Sequence, residues 1–224
     1  MKITVISDTH NKHLEINPEK LSGGDMIIHC GDVSSIGKEK EIINFLDWYN
    51  TLPYTYKIFI AGNHDFLFEN LSWSEINNIL SKYPSIIYLN DNWVEIEGFK
   101  IWGSPVQPWF HNWAFNRVGE DIKKHWDLIP NDIDILIVHG GPKYAGYLNR
   151  TLGGEDVGCP FLSDTISNLS NLKLFCQGHI HEGRGYFKTG DNKLLVNASV
   201  LNRNYVMVND PYVIDTDDWS IIDG

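Results

Sequence analysis

A series of short apolar runs, each closed at its C-terminal end by Asp, Asn or His, constrains this chain more than any other feature of its sequence. Ile3 to Ser7, Met26 to His29 and Lys57 to Ala61 (KIFIA) have the length and composition of buried strands. Between the second and third, Ile42, Ile43, Phe45, Leu46 and Tyr49 recur at helical spacing within Glu39 to Tyr49. Ser72-Trp-Ser-Glu75 has the form of a capping box, and Ile76, Ile79 and Leu80 continue a helix behind it. Strand-like runs follow at Ile86 to Leu89, Trp93 to Ile96 and Phe99 to Trp102, the last two joined by a Glu97-Gly98 turn. Pro105 to Trp126 is aromatic and irregular, helical in its later part. Ile135 to His139, Leu174 to Gln177, Tyr186 to Lys188 and Leu194 to Asn197 read as further strands, Pro160 to Leu169 as a helix, and Thr189 to Asn192 as a turn. Strands alternating with helices indicate an α/β protein. In such sheets ligands bind beyond the carboxyl ends of the strands. Asp8, His10, Asp32, Asn63, His64, His139 and His179 all fall at or just past such an end.

The segments concerned are Asp8-Thr-His10, Gly31-Asp32, Gly62-Asn-His-Asp65, Val138-His-Gly140 and Gly178-His-Ile-His181. Each offers oxygen or imidazole donors of the kind that suit Mn, Fe, Zn and Ni ions. An Asp-x-His or His-x-His step at a strand end points both side chains the same way, so one short segment can grip one ion. Gly31, Gly62, Gly140 and Gly178 fit turns where the backbone approaches the site closely. Any one segment alone carries little. Five in order, each behind a strand, point to a metal centre.

Composition bounds the rest. The length of 224 residues fits one domain over 1–224 that needs no disulfide staple. Cys30, Cys159 and Cys176 have no CxxC spacing. With no basic-then-apolar leader and no apolar run long enough for a membrane span, the chain reads as cytosolic. The formal net charge of −11 disfavours long nucleic acid or an anionic membrane as partner. A small phosphate ester, including a nucleotide, remains compatible, because two bound divalent cations would make the pocket locally positive.

The ordered motifs resemble those of the calcineurin-like metallophosphoesterase superfamily: D-x-H, GD, GNH followed by D or E, a later HG, and GHxH. The spacing agrees, with 24 residues from Asp8 to Asp32 and 31 from Asp32 to Asn63. The stretches LPYTYKIFIAGNHD, GHIHEGRG and VNAS are similar to a subgroup of small stand-alone phosphodiesterases that includes the metallophosphoesterase-domain proteins of animal brain. The resemblance implies an α/β fold built as a two-sheet β-sandwich flanked by helices. It implies two divalent transition-metal ions, Mn foremost, with Fe, Ni or Zn as alternatives. Asp8, His10 and His181 would hold the first, Asn63, His139 and His179 the second, and Asp32 would bridge both. The implied activity is hydrolysis of small or nucleotide phosphodiesters by a hydroxide shared between the ions, with His64 protonating the leaving oxygen. Asp65, next in sequence, would hold the His64 ring and raise its proton affinity. A phosphomonoesterase, a metal-binding scaffold on the same fold and a nuclease are the rival readings; the complete ligand set favours an enzyme, and the acidic charge disfavours a nuclease.

One position departs from the pattern, since Ser35 stands where many members carry a second Asp after GD. The aromatic segment from Trp102 to Phe115 suits either a substrate wall or a loop packed over the core. His13, His29 and His125 read as structural and His111 as solvent-facing. Arg150, Arg184 and Arg203 are each able to bind a substrate phosphate, and nothing in the sequence selects one. Asn197, at a strand end, suits a place behind the ligands.

Overall fold

The computed structural model describes all 224 residues. Fourteen strands follow in chain order: β1 (Lys2–Ile6), β2 (Gly24–His29), β3 (Tyr54–Phe59), β4 (Ile86–Tyr88), β5 (Asn92–Ile96), β6 (Phe99–Ser104), β7 (Gln107–Pro108), β8 (Asn116–Arg117), β9 (Ile135–Val138), β10 (Leu174–Gln177), β11 (Gly185–Lys188), β12 (Leu194–Asn197), β13 (Tyr212–Asp215) and β14 (Ser220–Asp223). The helices are α1 (Glu39–Thr51), α2 (Phe66–Asn70), α3 (Trp73–Leu80), α4 (Gly119–Trp126) and α5 (Pro160–Asn168). No helix is long and apolar enough to cross a membrane.

The strands form two six-stranded sheets, ordered β14-β13-β1-β2-β3-β4 and β11-β12-β10-β9-β6-β5, with β7 and β8 a separate pair. Within the first, β1 to β4 run parallel; within the second, β6, β9, β10 and β12 do. Parallel strands are covered on both faces, which is why they appear in the sequence as continuous apolar runs. Alternation within a run still sorts its residues. Ile3, Val5, Met26 and Ile28 face Ile135, Ile137, Leu174 and Val196 between the sheets. Ile6, Ile27 and Phe59 turn outward onto Ile42, Phe45, Leu46 and Tyr49 of α1. Leu136, Val138 and Phe175 turn outward onto Ile122, Trp126, Leu162 and Ile166 of α4 and α5. The result is the expected sandwich of two sheets flanked by helices.

The local signals hold. Glu75 N–H donates to Ser72 Oγ while Glu75 Oε2 accepts from Ser72 N–H at 2.8 Å. Glu97 and Gly98 both take positive φ in the turn joining β5 to β6. The C-terminal hairpin β13–β14 has no counterpart among the apolar runs. The residues of β13 alternate in burial, and its place is given by antiparallel pairing with β1.

The parallel strands end level with one another. Ile6, His29 and Phe59 are in register across the first sheet, as are Gln177 and Asn197 in the second. At this edge the sheets meet through a parallel bridge between Ser7 and Ser199, with Val200 N–H donating to Ser7 O at 3.0 Å. Behind it, the buried Tyr49 hydroxyl clamps α1 to the first sheet, 2.7 Å from Ile58 O and 3.1 Å from Ile27 O. Tyr49→Phe removes the clamp and keeps the ring, so it should cost about 1 kcal/mol. Urea unfolding should show a lower midpoint at unchanged slope; an unaltered midpoint would mean that the hydroxyl contributes nothing.

Candidate metal centre

The loops leaving β1, β2, β3, β9 and β10 bring all seven expected donors together where the sheets meet. On one side, His10 Nε2 lies 3.2 Å from His181 Nε2, and His181 Nε2 lies 3.4 Å from Asp8 Oδ1. On the other, Asn63 Oδ1 lies 2.7 Å from His179 Nδ1 and 3.1 Å from His139 Nε2. Asp32 Oδ2 sits between the groups, 3.6 Å from His10 Nε2 and 3.4 Å from His139 Nε2. Two imidazole nitrogens at 3.2 Å beside two buried carboxylates form an arrangement that a cation satisfies. The mixed nitrogen and oxygen donors fit a transition ion.

Backbone groups aim these donors. His139 Nδ1–H donates to Cys30 O at 2.8 Å and His181 Nδ1–H to Asn202 O at 2.9 Å, which leaves each Nε2 lone pair directed inward. The His64 N–H donates to Asp32 Oδ1 at 2.8 Å, leaving Oδ2 for the centre. Asp8 accepts the His179 N–H at 3.0 Å and has the Ser199 hydroxyl 2.8 Å away. Asn197 Oδ1 accepts from Ser199 N–H at 3.1 Å, and its amide donates to Ile180 O at 2.8 Å. Asn197 therefore braces the loop that carries His179 and His181, behind the candidate donors. Ser199, within the VNAS stretch, is the partner that the sequence reading did not single out.

The loops are wound tightly. Asp8, His10, Asp32 and His179 all have positive φ, at 57°, 40°, 57° and 70°. Such conformations are uncommon outside glycine and persist where surroundings over-determine them. A Cβ on Gly62 would run into the Asp32 carboxylate and the His139 ring, and one on Gly178 into the Asp8 carboxylate and the Ser7 hydroxyl.

One expectation is corrected. Asp65 does not hold the His64 ring; its carboxylate accepts from the N–H groups of Gly62, Val33 and Ser34 and from the Ser34 hydroxyl. It ties the loop after β2 to the loop after β3. The ring is held instead by Ser35, whose carbonyl accepts the His64 Nδ1–H at 2.6 Å. The Ser35 hydroxyl also accepts from Asn11 and donates to His10 O, so the residue that departs from the motif fastens the His10 loop. Trp113 stacks on His64 at 4.1 Å between centroids.

The ligand edge opens into a cleft of about 220 Å³ whose walls are Phe110, Trp113, Tyr205, Glu182 and Arg203. The two readings of the aromatic segment are therefore both realised: Trp102 and Phe115 are core, while Phe110 and Trp113 line the cleft. Among the three arginines, Arg203 alone reaches it. Arg150 caps Gly146 O and Gly154 O, and Arg184 lies over the Tyr212 ring and donates to Asp210 O. His13 packs on Trp48, His29 meets the Thr9 hydroxyl and the Gly31 N–H, and His125 pairs with Asp91. His111 is exposed.

The sequence profile described as calcineurin-like phosphoesterase matches residues 1–183. The chain belongs to this family. Metallophosphoesterase domain-containing protein 1 of Homo sapiens is 37% identical over 96% of the chain and 70% of its own length. A UPF0046 protein of Caenorhabditis elegans is 31% identical over 96% of the chain and 60% of its own length. Among solved structures, a Thermus thermophilus protein superposes with a TM-score of 0.64 at 15% identity, covering 98% of this chain and 96% of its own. A dimetal phosphatase from Danio rerio superposes with a TM-score of 0.55 at 8% identity, covering 95% and 91%. At such identities these last two likenesses establish the fold alone.

For this metallophosphoesterase the charges around the centre are opposed in a way that bears on metal binding. Burial alone would raise Asp8, but His181, His139 and His10 hold it well below the usual carboxylate range. Asp32 is likewise lowered, by His139 first, against its burial. In return, burial works against the protonated forms of His139 and His181, yet Asp32 beside the one and Asp8 beside the other raise both to about 9. Burial lowers His10 to about 4 and His179 to about 3. Metal-free protein near neutral pH therefore carries protons on His139 and His181 where a cation would sit.

Two outcomes are expected. A proton on a ligand competes with metal. Calorimetric affinity for Mn should accordingly rise from about pH 6 and level off near pH 9, with proton release on binding; a pH-independent affinity would contradict the assignment. Ser199→Ala frees Asp8 Oδ2 of its hydroxyl partner and should weaken metal binding about 10- to 100-fold. An unchanged dissociation constant would leave Ser199 without a role.

Proposed function

We propose that this family member is a phosphodiesterase for small phosphate diesters, nucleotides among them, with two transition-metal ions at the centre. The observation that carries the reading is the convergence of all seven donors beneath a cleft in which His64 presents its Nε2. Asp8, His10 and His181 would hold one ion, Asn63, His139 and His179 the other, and Asp32 both; Mn is the foremost metal, with Fe, Ni or Zn as alternatives. When bound, the ions supply Lewis acidity toward the phosphate oxygens and generate the nucleophile.

The chain's own groups do the remainder. His64 Nε2 lies 4.0 Å from Asp32 Oδ2, and the Ser35 carbonyl fixes the proton on Nδ1. In the protonated ring Nε2–H is then free to pass a proton to the leaving oxygen. Trp113 against one face restricts the ring's rotation. Arg203 is placed to take a phosphate oxygen. Glu182 lines the same cleft and balances the Arg203 charge, which suits the single charge of a diester better than the double charge of a monoester. The three cysteines are buried and unpaired, which fits a cytoplasmic, reducing setting.

Replacing His64 separates proton donation from metal binding. His64→Ala should retain two ions per chain and hydrolyse nitrophenyl diesters with a small defect, while losing about 10²- to 10⁴-fold on diesters with alkoxide leaving groups. His181→Ala should instead lose metal and slow every substrate. Metal content together with rates on both substrate types decides it. Loss of an ion in His64→Ala, or equal slowing of both types, would require His64 to be reassigned, and a wild-type preference for nitrophenyl monoesters would overturn the diester reading.

A further inference from the structure

Next to the cleft lies a second cavity of about 270 Å³, lined by Pro108, Trp109, Phe110, Thr151, Val157 and Ile180. Phe110 and His179 belong to both spaces. The partition is thus a ligand ring, whose Nδ1 lies 2.7 Å from Asn63 Oδ1, and the Phe110 ring set edge-on to it at 5.0 Å between centroids.

The two spaces differ in chemistry. Around the metal centre charged and polar groups are interleaved with the Phe110, Trp113 and Tyr205 rings; apart from the shared His179 and the Thr151 hydroxyl, the side cavity is apolar. Its walls are anchored. Trp109 N–H donates to Arg117 O at 3.0 Å in continuation of the β7–β8 pair, and Val157 N–H donates to Asn149 O at 3.0 Å. Trp109 nevertheless remains 58% exposed and Val157 37% exposed, so no segment of this chain covers the two rims. His64 lies on the other side of Trp113 and Phe110 and does not line the cavity.

We propose that this cavity binds the apolar, ring-bearing substituent of a diester whose phosphorus sits at the metal centre. That substituent is the one retained on phosphorus, because the acid acts away from the cavity. The proposal rests on the phosphodiesterase reading and assigns its substrate class: a phosphate joining one flat hydrophobic group to a second alcohol. Trp109 and Phe110 give the ring faces to stack on, and the cavity admits one ring system. In the step itself the phosphorus–oxygen bond to the second alcohol breaks, the oxygen of a water that has given one proton to solvent bonds to phosphorus, and the departing oxygen takes the proton from His64, which solvent then returns to the ring.

The test holds the leaving group constant and varies only what is retained. Metal-loaded protein is assayed with 4-nitrophenyl phenylphosphonate and 4-nitrophenyl methylphosphonate, and binding of phenylphosphonate and methylphosphonate is measured by calorimetry. The phenyl compounds should be favoured at least about tenfold in kcat/KM and in affinity. Val157→Trp and Thr151→Trp, both of which fill the cavity from its lining, should bring the two ratios toward one; two variants guard against one failing to fold. Equal treatment of phenyl and methyl by the wild type overturns the proposal while leaving the phosphodiesterase reading standing. If neither ester is hydrolysed, that reading fails, and the calorimetric ratio still decides whether the cavity takes a ring.

Discussion

Asp8 is a fully buried carboxylate on one sheet whose donors come from the other: the His179 N–H and the Ser199 hydroxyl. Burying a charge is costly unless it is paired and hydrogen-bonded. The favourable placement of Asp8 therefore requires the two sheets to meet at this edge and at this height. Asp32 imposes the same condition through the His139 ring of the other sheet, while the His64 N–H from its own sheet satisfies its second oxygen. The Ser7–Ser199 bridge is the backbone side of the same junction. The apolar layer between the sheets supplies the bulk of the packing; these carboxylates set its register.

The same junction accounts for strain in the ligand loops. Positive φ at Asp8, His10, Asp32 and His179 is unfavourable locally and is sustained by packing that leaves no alternative. Glycines at 62 and 178 let the Asp32 and Asp8 carboxylates come close enough for that packing. Asp65 adds a tie between two loops, and Asn197 between a strand and the loop that carries His179 and His181. The donors are thus preorganised before any ion arrives, so little reorganisation accompanies binding.

The cleft divides the labour among few groups. Charge is concentrated at the centre, one arginine and one glutamate line the wall, and the aromatic segment is split between core and cleft. Phe110 is the pivotal ring of that segment, touching His179 on one side and lying parallel to Trp113 on the other.

Membership of the centre and the identity of the central strands can be read from the chain before it folds. Asp8, His10, Asp32, Asn63, His139, His179 and His181 are legible because their segments directly follow buried strands, and a strand's end is a local property. Helix α1 is legible because its periodicity lies within one segment. The hairpin β13–β14 is not, since its place is defined by pairing with β1 across the length of the chain. Nor are the partners that aim the donors: the carbonyls of Cys30, Ser35 and Asn202 are backbone, and a backbone acceptor leaves no mark in the sequence. The expected Asp65–His64 pair fails for the related reason that adjacent residues at a turn point apart, and each meets a distant partner first. The choice of Arg203 over Arg150 and Arg184, and the stacking of Trp113 on His64, arise only on folding, because those contacts depend on where loops far apart in sequence come to rest.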